Sequence, residues 1–195
     1  MLDDKKIEEI KSRAKQFIIE GTIKKGISNK DEIEFFIGNS QKSLSTAQLL
    51  YDVSTNIKMQ ETYNQKDFDG FLWVINASYY SMFYITRAIL EKDGIKLKGD
   101  LSIHMLTFDA LAHYFYFTGK LQKQLMEAYA EAEKEASELL GKEKAHTLVE
   151  DYFNEKEKRG RFTYHMGEKA LQSKAKTSLD RAKNFFEEIR TLIVK

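Results

Sequence analysis

Hydrophobic residues recur at intervals of three and four positions through most of this chain, and that spacing places them on one face of an α-helix. No segment alternates hydrophobic and polar residues convincingly enough to predict a strand. The stretches with helical spacing are residues 3–20, 30–54, 69–92, 102–119, 120–140, 142–158 and 164–193. Between the second and third stretches, the polar run 54–67 predicts a loop. We therefore predict an all-α protein, folded as an up-and-down helical bundle.

Capping residues and glycines mark the ends of these helices. Asp3 or Asp4 precedes the first helix, and Asn29 or Asp31 precedes the second. Short polar side chains at these positions accept hydrogen bonds from the free N–H groups of a first helical turn. Gly141 is expected to separate the fifth and sixth helices.

The third predicted helix is apolar on nearly all sides, which is typical of a helix surrounded by others. It is too polar for a span that faces lipid, because it contains Asn76, Ser78, Ser81, Thr86 and Arg87. Residues 1–6 carry charges and no apolar run, so they are not expected to form a secretory signal. We expect a cytoplasmic protein that does not enter a membrane.

Composition narrows the chemistry. The 195 residues include no cysteine and no proline. Disulfides, thiolate metal sites and cysteine nucleophiles are therefore excluded, and the absence of proline favours helices. The formal net charge is +1, from 31 basic and 30 acidic residues, so no overall field attracts nucleic acid.

The charge is nevertheless unevenly distributed. Between residues 156 and 183 only Glu157, Glu168 and Asp180 are acidic, whereas residues 127–138 are rich in glutamate. Solvated helix faces are the simplest explanation of both regions. The basic residues of the first region are Lys156, Lys158, Arg159, Arg161, Lys169, Lys174, Lys176, Arg181 and Lys183.

The basic region contains the main candidate for chemistry, the segment 159–165 with the sequence Arg-Gly-Arg-Phe-Thr-Tyr-His. Arginine offers paired donors that fit phosphate oxygens, and histidine can take and give a proton near neutral pH. On one straight helix, His165 would be rotated about 240° around the axis from Arg159, so the two would not share a face. We expect Gly160 to end one helix and Thr163 to cap the next, which would let the two side chains converge.

The sequence of residues 76–90 resembles that of a known protein family. Their sequence, Asn-Ala-Ser-Tyr-Tyr-Ser-Met-Phe-Tyr-Ile-Thr-Arg-Ala-Ile-Leu, resembles the signature helix of the HEPN (higher eukaryotes and prokaryotes nucleotide-binding) family, which typically reads Ala-Tyr-Tyr-Ala-Met-Phe and then Ala-Arg-Ala-Leu. The segment from Ser102 to His104 resembles the start of the family's next element. Arg159, five residues and His165 match the family's ribonuclease motif.

The resemblance covers residues 29–195, which would form a HEPN-like helical bundle. Residues 1–28 would then be an N-terminal helical extension, and residues 120–150 resemble a mid-chain addition to the minimal bundle. The resemblance also implies a homodimer in which two motifs face each other across a cleft.

The resemblance implies a metal-independent endoribonuclease, of the toxin or RNA-processing type, that needs no cofactor. His165 would act as the general base or acid for attack of a ribose 2′-hydroxyl on phosphate, and Arg159 would stabilise the phosphate oxygens. Arg161, Tyr164 and Arg87 are the residues that we expect to bind the substrate, an RNA or a nucleotide.

Two departures from the family pattern keep an alternative open. Gly160 follows the arginine where active members usually have a polar residue, and Gly167 occupies the position at which many toxin-type members have tyrosine. The alternative is a catalytically inactive module that binds a nucleotide or a nucleotidyltransferase-like protein. A purely structural bundle is the third interpretation.

The remaining histidines are weaker candidates. Glu143 and His146 have the spacing found in di-iron bundles, but no second copy of the pair occurs, so we predict no metal site. His104 is expected to act as a cap or to bind a loop carbonyl, and His113 is expected to pack among aromatic residues.

Overall fold

The computed structural model describes residues 2–98, 103–153 and 161–194, and for 140–153 and 161–169 it describes only the course of the backbone. The described residues are 79% helical, which confirms the prediction of an all-α bundle. The helices are α1 (Asp4–Ile19), α2 (Lys30–Thr55), α3 (Ile57–Thr62), α4 (Phe71–Lys92), α5 (Ile103–Leu111), α6 (Lys123–Phe153) and α7 (Arg161–Val194). Two short strands are β1 (Ile23–Lys25) and β2 (Ile95–Leu97).

Helices α2 and α4 form an antiparallel pair. Near the middle of the pair, Ser40 Oγ donates a hydrogen bond to the Ser81 carbonyl oxygen over 2.7 Å. At one end, the backbone N–H of Asn29 donates to Glu91 Oε1 over 2.8 Å. Both serines are buried, and such small side chains let two helices approach closely. The Asn29 side chain also caps α2, as predicted, by accepting bonds from Asp31 N and Glu32 N.

Helix α7 runs parallel to α4, and α6 runs antiparallel to both. Ala175 and Leu179 of α7 pack in one cluster with Phe71 and Val74, at the start of α4. At the other end, Lys92 Nζ donates to the Leu192 carbonyl oxygen over 2.9 Å. On α6, Glu135 bonds Ser178 and Arg181 of α7, whereas Leu139, further along α6, packs in the cluster at the start of α4.

Helix α4 is the centre of the bundle, as its sequence predicts. It contacts α2, α5, α6 and α7, and its side chains Met82, Ile85 and Ile89 are at most 1% exposed. Burial of a side chain of this size contributes about 1.5–3 kcal/mol to folding. The bundle is therefore organised around α4.

Helix α1 packs on α5 and the segment that follows it. Its buried residues Ile10, Ala14 and Phe17 have the spacing of one helical face. Asp3 caps the helix by accepting a bond from Lys6 N, as predicted. Ile10 and Phe17 belong to the same core cluster as Met82 and other residues of α4. The division of the chain at residue 28 stays a prediction.

The prediction that the chain has no strand was wrong. β1 and β2 pair antiparallel, with Ile23 opposite Leu97 and Lys25 opposite Ile95. Each strand has three residues, which is too short to produce a recognisable alternation. Ile23 and Ile95 are buried and belong to the main core cluster, so the strand pair contributes two side chains to the core.

Two other boundaries were predicted wrongly. The predicted loop 54–67 contains the short helix α3, which Asn56 caps by accepting a bond from Met59 N. Gly141 does not end a helix, because α6 continues through it to Phe153. A single glycine inside a helix costs only about 1 kcal/mol relative to alanine, and the helix formers that follow Gly141 offset that cost.

The predicted helix 102–119 consists of α5 and a π-helical turn at Ala112–Tyr116. Gly119, with φ of +76°, lies in the left-handed conformation that glycine adopts at helix ends. The expected opening of this helix at Asp100 or Ser102 lies outside the described residues.

Candidate functional site

The predicted catalytic pair is divided between described and undescribed residues. Arg159 and Gly160 lie outside the described residues. Positions 161, 164 and 165 lie in the first two turns of α7, where the backbone alone is described. The prediction that Thr163 caps this helix was wrong, because α7 already begins at Arg161. Neither Arg161 nor Phe162 excludes helical backbone, so the helix includes them.

The earlier start of α7 changes the relation between two predicted site residues. Arg161 and His165 are four residues apart within one helix. Positions with this spacing lie one above the other on the same helical face. The backbone of α7 therefore pairs the positions of Arg161 and His165 instead of separating them by a cap.

The bundle fixes the level at which these positions lie. Ala175 of α7 packs at the level of Val74, near the start of α4. Position 165 is ten residues earlier, which is about 15 Å along the helix axis. The start of α7 thus belongs to the end of the bundle where α4 begins and α2 finishes.

Arg87 lies toward the other end. It is five residues before Lys92, whose ammonium bonds Leu192 near the end of α7. Positions 165 and 192 are 27 residues apart, or about 40 Å along a straight helix. Within one subunit, the fold does not bring Arg87 to the start of α7.

The Arg87 guanidinium stacks over an aromatic ring. Its central carbon is 4.7 Å from the centroid of Phe36 on α2, a cation–π contact. Burial lowers the pKa of Arg87, and the charge of Glu91 opposes that shift. Among the described residues no carboxylate lies within ion-pair distance of Arg87. The guanidinium is half-buried, and it forms no direct ion pair with a described carboxylate.

His104 lies within the first turn of α5, and the segment 99–102, which its predicted role as a cap or in binding a loop carbonyl would involve, lies outside the described residues. The Nδ1 of His104 lies 2.7 Å from the hydroxyl of Tyr79, and its ring centroid is 4.5 Å from Phe83. Burial lowers the pKa of His104 and raises the pKa of Tyr79. The imidazole is therefore held neutral inside an aromatic cluster. Three of the residues in this cluster, Tyr79, Tyr80 and Phe83, come from the signature-like segment.

A buried ion pair between α1 and α5 was missed at the sequence level. Arg13 of α1 donates to both carboxylate oxygens of Asp109 on α5, from Nε over 2.5 Å and from a terminal nitrogen over 2.7 Å. The Asp109 side chain is fully buried, and its burial raises its pKa while the bonds from Arg13 oppose the rise. The available signal was a carboxylate within the apolar run Leu106–Ala112.

A cleft of about 370 Å³ adjoins this ion pair between α1, α5 and α6. Its lining includes Leu2, Phe108 and Glu133 beside Arg13. Burial raises the pKa of Glu133, Asp109 raises it further, and Arg13 lowers it. The mixed lining and small volume fit the side-chain packing of α1 on the bundle.

Part of the basic region on α7 is neutralised. Arg181 bonds Glu135 over 2.8 Å and Glu131 over 3.1 Å, both on α6, and Lys176 pairs with Asp180 over 2.8 Å. The acidic face of α6 therefore faces the second half of the basic region. The basic positions from 156 to 169 precede this paired part of α7.

The described residues contain neither a metal-binding cluster nor a membrane-spanning helix. No three His, Asp or Glu side chains come close enough to hold a metal ion there. Glu143 and His146 fall in the part of α6 for which only the backbone is described. Within the described residues, no helix combines the length and apolar character of a membrane span.

Comparisons of the chain with models of protein families, with curated protein sequences and with solved structures find no match.

Proposed function

We propose that the protein is a HEPN-like, metal-independent endoribonuclease whose site is built from Arg159 and His165 at a homodimer cleft. The observation that carries the proposal is that positions 161 and 165 lie on one face in the first turns of α7, at one end of an all-α bundle. The central helix α4 supplies further support, because it is formed by the signature-like residues 76–90 and is buried as a core helix.

The chemistry requires an acid–base group and a cation for the phosphate. His165 takes the proton from a ribose 2′-hydroxyl, which then attacks the adjacent phosphate. The oxygen of the following nucleotide leaves and takes up a proton, so that a cyclic phosphate remains on the upstream product. Arg159 stabilises the charge on the phosphate oxygens during this step. Arg161, Tyr164 and Arg87 bind the RNA around it.

Gly160 supports a second function. A glycine after Arg159 removes a polar side chain that could position the substrate, and an inactive module would tolerate that loss. In this alternative the same bundle binds a nucleotide or a nucleotidyltransferase-like protein without cleaving RNA.

Cleavage of mixed RNA in the presence of a chelator separates the two functions. The wild-type protein is expected to cleave, and Arg159→Ala and His165→Ala are each expected to lower the rate about 10²- to 10⁴-fold. Arg190→Ala is the matched control, because Arg190 is exposed near the other end of α7, and it is expected to cleave at the wild-type rate. Cleavage that survives both motif substitutions, or no cleavage by any of the proteins, contradicts the nuclease function.

A further inference from the structure

One face of the central helix is left uncovered by the rest of the described bundle. Trp73 is 54% exposed and Tyr80 is 37% exposed, and Ala77, Tyr84 and Arg87 on the same face are half-buried. The intervals between these five residues are four, three, four and three, which keeps them on one helical face. We call this surface the α4 stripe.

Aromatic contacts hold Tyr80 and Tyr84 of the α4 stripe in place. The Tyr80 ring centroid is 6.2 Å from that of Tyr84 and 5.8 Å from that of His104. The ring of Tyr84 stacks on that of Phe36 of α2, with 6.5 Å between the centroids. The guanidinium of Arg87 lies over the same Phe36 ring. Preorganised aromatic side chains of this kind are typical of the centre of protein interfaces.

The spacing of the α4 stripe makes it complementary to itself. If a second α4 lies antiparallel across a twofold axis between Ala77 and Tyr80, Trp73 faces the partner's Tyr84. Ala77 then faces the partner's Tyr80, so that a small side chain meets a large one. Because the interface is isologous, every such contact forms twice.

The charges at the two ends agree with the same register. Arg87 at one end lies opposite the partner's Gly70, beside the partner's Asp69. Asp69 is exposed, and Arg87 lies within ion-pair distance of no carboxylate among the described residues. Each end of the α4 stripe thus offers the charge that the other end lacks.

We propose that the α4 stripe is the contact between two copies of this chain, paired antiparallel with Trp73 against the partner's Tyr84. A single-stranded nucleic acid fits the surface less well, since Arg87 is the only cation of the α4 stripe and Asp69 adjoins it. The contact rests on the homodimer of the proposed function but differs from the arrangement that the resemblance implies. It places the two copies of position 165 at opposite ends of the dimer, roughly 40 Å apart along the helix axes, so that each cleft combines one motif with the partner's Arg87. The start of α4 and the start of α7 belong to the same end of the bundle. The contact therefore carries Arg87 toward the end of the partner subunit at which position 165 of its α7 lies.

The absence of cysteine from the chain allows a test without background reaction. Trp73→Cys protein is mixed with Tyr84→Cys protein and treated with a short bismaleimide. The mixture is expected to give a cross-linked heterodimer, whereas each variant alone is expected to give little product. In the proposed register, two copies of position 73 lie eleven residues apart along the helix pair, about 16 Å. Equal cross-linking of either variant alone, or none in the mixture, overturns the register.

Sedimentation equilibrium tests the surface itself. Ala77→Glu and Tyr80→Glu are expected to weaken the wild-type dimer roughly 30-fold or more, the loss typical of a central interface residue. Leu49→Glu is the matched control, since Leu49 is 53% exposed on α2 outside the α4 stripe, and it is expected to leave the dimer unchanged. A wild-type protein that is monomeric at micromolar concentration overturns the proposal, as do glutamate variants that remain folded and dimeric.

The readouts separate this contact from the nuclease activity. A monomer that cleaves RNA contradicts the contact and the dimer cleft but leaves the nuclease chemistry of Arg159 and His165 standing, and a cross-linked dimer that cleaves none contradicts the nuclease alone. If the α4 stripe binds RNA instead, the glutamate variants lose RNA binding while the wild-type protein sediments as a monomer, and this result also overturns the contact.

Discussion

Buried polar side chains join α1 to α5 and α5 to the central helix α4. Asp109 is fully buried and is neutralised by a two-bond contact with Arg13. His104 shares a hydrogen bond with Tyr79 within an aromatic cluster. Each of these groups lies in an apolar environment with one main partner, so the loss of that partner leaves a polar group that water reaches poorly.

Removal of the Arg13 side chain is expected to destabilise the protein. Arg13→Met leaves Asp109 as a buried carboxylate without its cation, at a cost of about 2–3 kcal/mol. This value is below the usual cost for a buried pair because the Arg13 side chain is 38% exposed. Urea unfolding measures the change, and Arg190→Ala is expected to stay within about 0.5 kcal/mol of wild type.

The double variant Arg13→Met/Asp109→Leu supplies the second half of this test. Without the carboxylate, no buried charge remains, and much of the lost stability is expected to return. A double variant less stable than Arg13→Met would show that the ion pair is not the source of the loss.

His104 is expected to make stability depend on pH. Its pKa in the folded protein is below the ordinary value of 6.5, so the folded state favours the neutral imidazole. The stability that this provides is complete above the unfolded pKa and is lost as the pH falls through 6.5 toward the folded value. Urea unfolding at about pH 7.5 and about pH 5.5 measures the loss.

His104→Asn is the control for this dependence, because its amide can occupy the place of Nδ1 without titrating. The variant is expected to lose less stability than wild type over the same pH interval. His113, whose pKa is also lowered by burial, and the raised pKa values of Asp109 and Glu133 act in both proteins and cancel in the difference. An equal loss in the two proteins would assign the effect to another group.

At the scale of whole elements, the long helices continue where local signals predicted breaks. Helix α6 passes through Gly141 and α7 begins before Thr163. In both cases the local residue is tolerated by a helix, and the neighbouring residues favour one. A glycine at a true helix end differs in its backbone, as Gly119 shows with its positive φ.

Alanine substitutions distinguish the two glycines. Gly141→Ala is expected to raise the free energy of unfolding by about 0.5–1 kcal/mol, because alanine is the better helix former. Gly119→Ala is expected to lower it by about 1–2 kcal/mol, because an alanine there must adopt the left-handed conformation. No heavy atom lies within 4 Å of a Cβ at Gly119, so the loss would come from the backbone. A destabilising Gly141→Ala would indicate that α6 breaks at that residue.

At the scale of the molecule, the parallel arrangement of α4 and α7 separates two groups of predicted site residues. The positions of Arg161, Tyr164 and His165 belong to one end of the bundle, and Arg87 lies toward the other. A single nucleotide that contacts both groups requires a second subunit. The proposed antiparallel contact of the α4 stripe supplies that subunit in a suitable direction.

The bundle could be predicted from sequence because the spacing of hydrophobic residues that indicates a helix is repeated along each helix. Every turn of α4 carries apolar residues, and the caps Asp3 and Asn29 are each one of the two candidates that the sequence offers at that helix start. The strands β1 and β2 could not be predicted, because three residues carry almost no periodic signal. The ion pair of Arg13 with Asp109 joins residues 96 positions apart, and such a pairing is visible only once the fold brings them together.

The most direct test of the central claim uses a DNA oligonucleotide that carries a single ribonucleotide, incubated with the protein and a chelator. The nuclease chemistry requires one 2′-hydroxyl, so cleavage is expected only after that ribonucleotide, with a 2′,3′-cyclic phosphate or its hydrolysed form on the upstream fragment and no cleavage by His165→Ala. Cleavage at deoxynucleotides, or a product of the single-ribonucleotide oligonucleotide that His165→Ala forms equally well, would contradict the account.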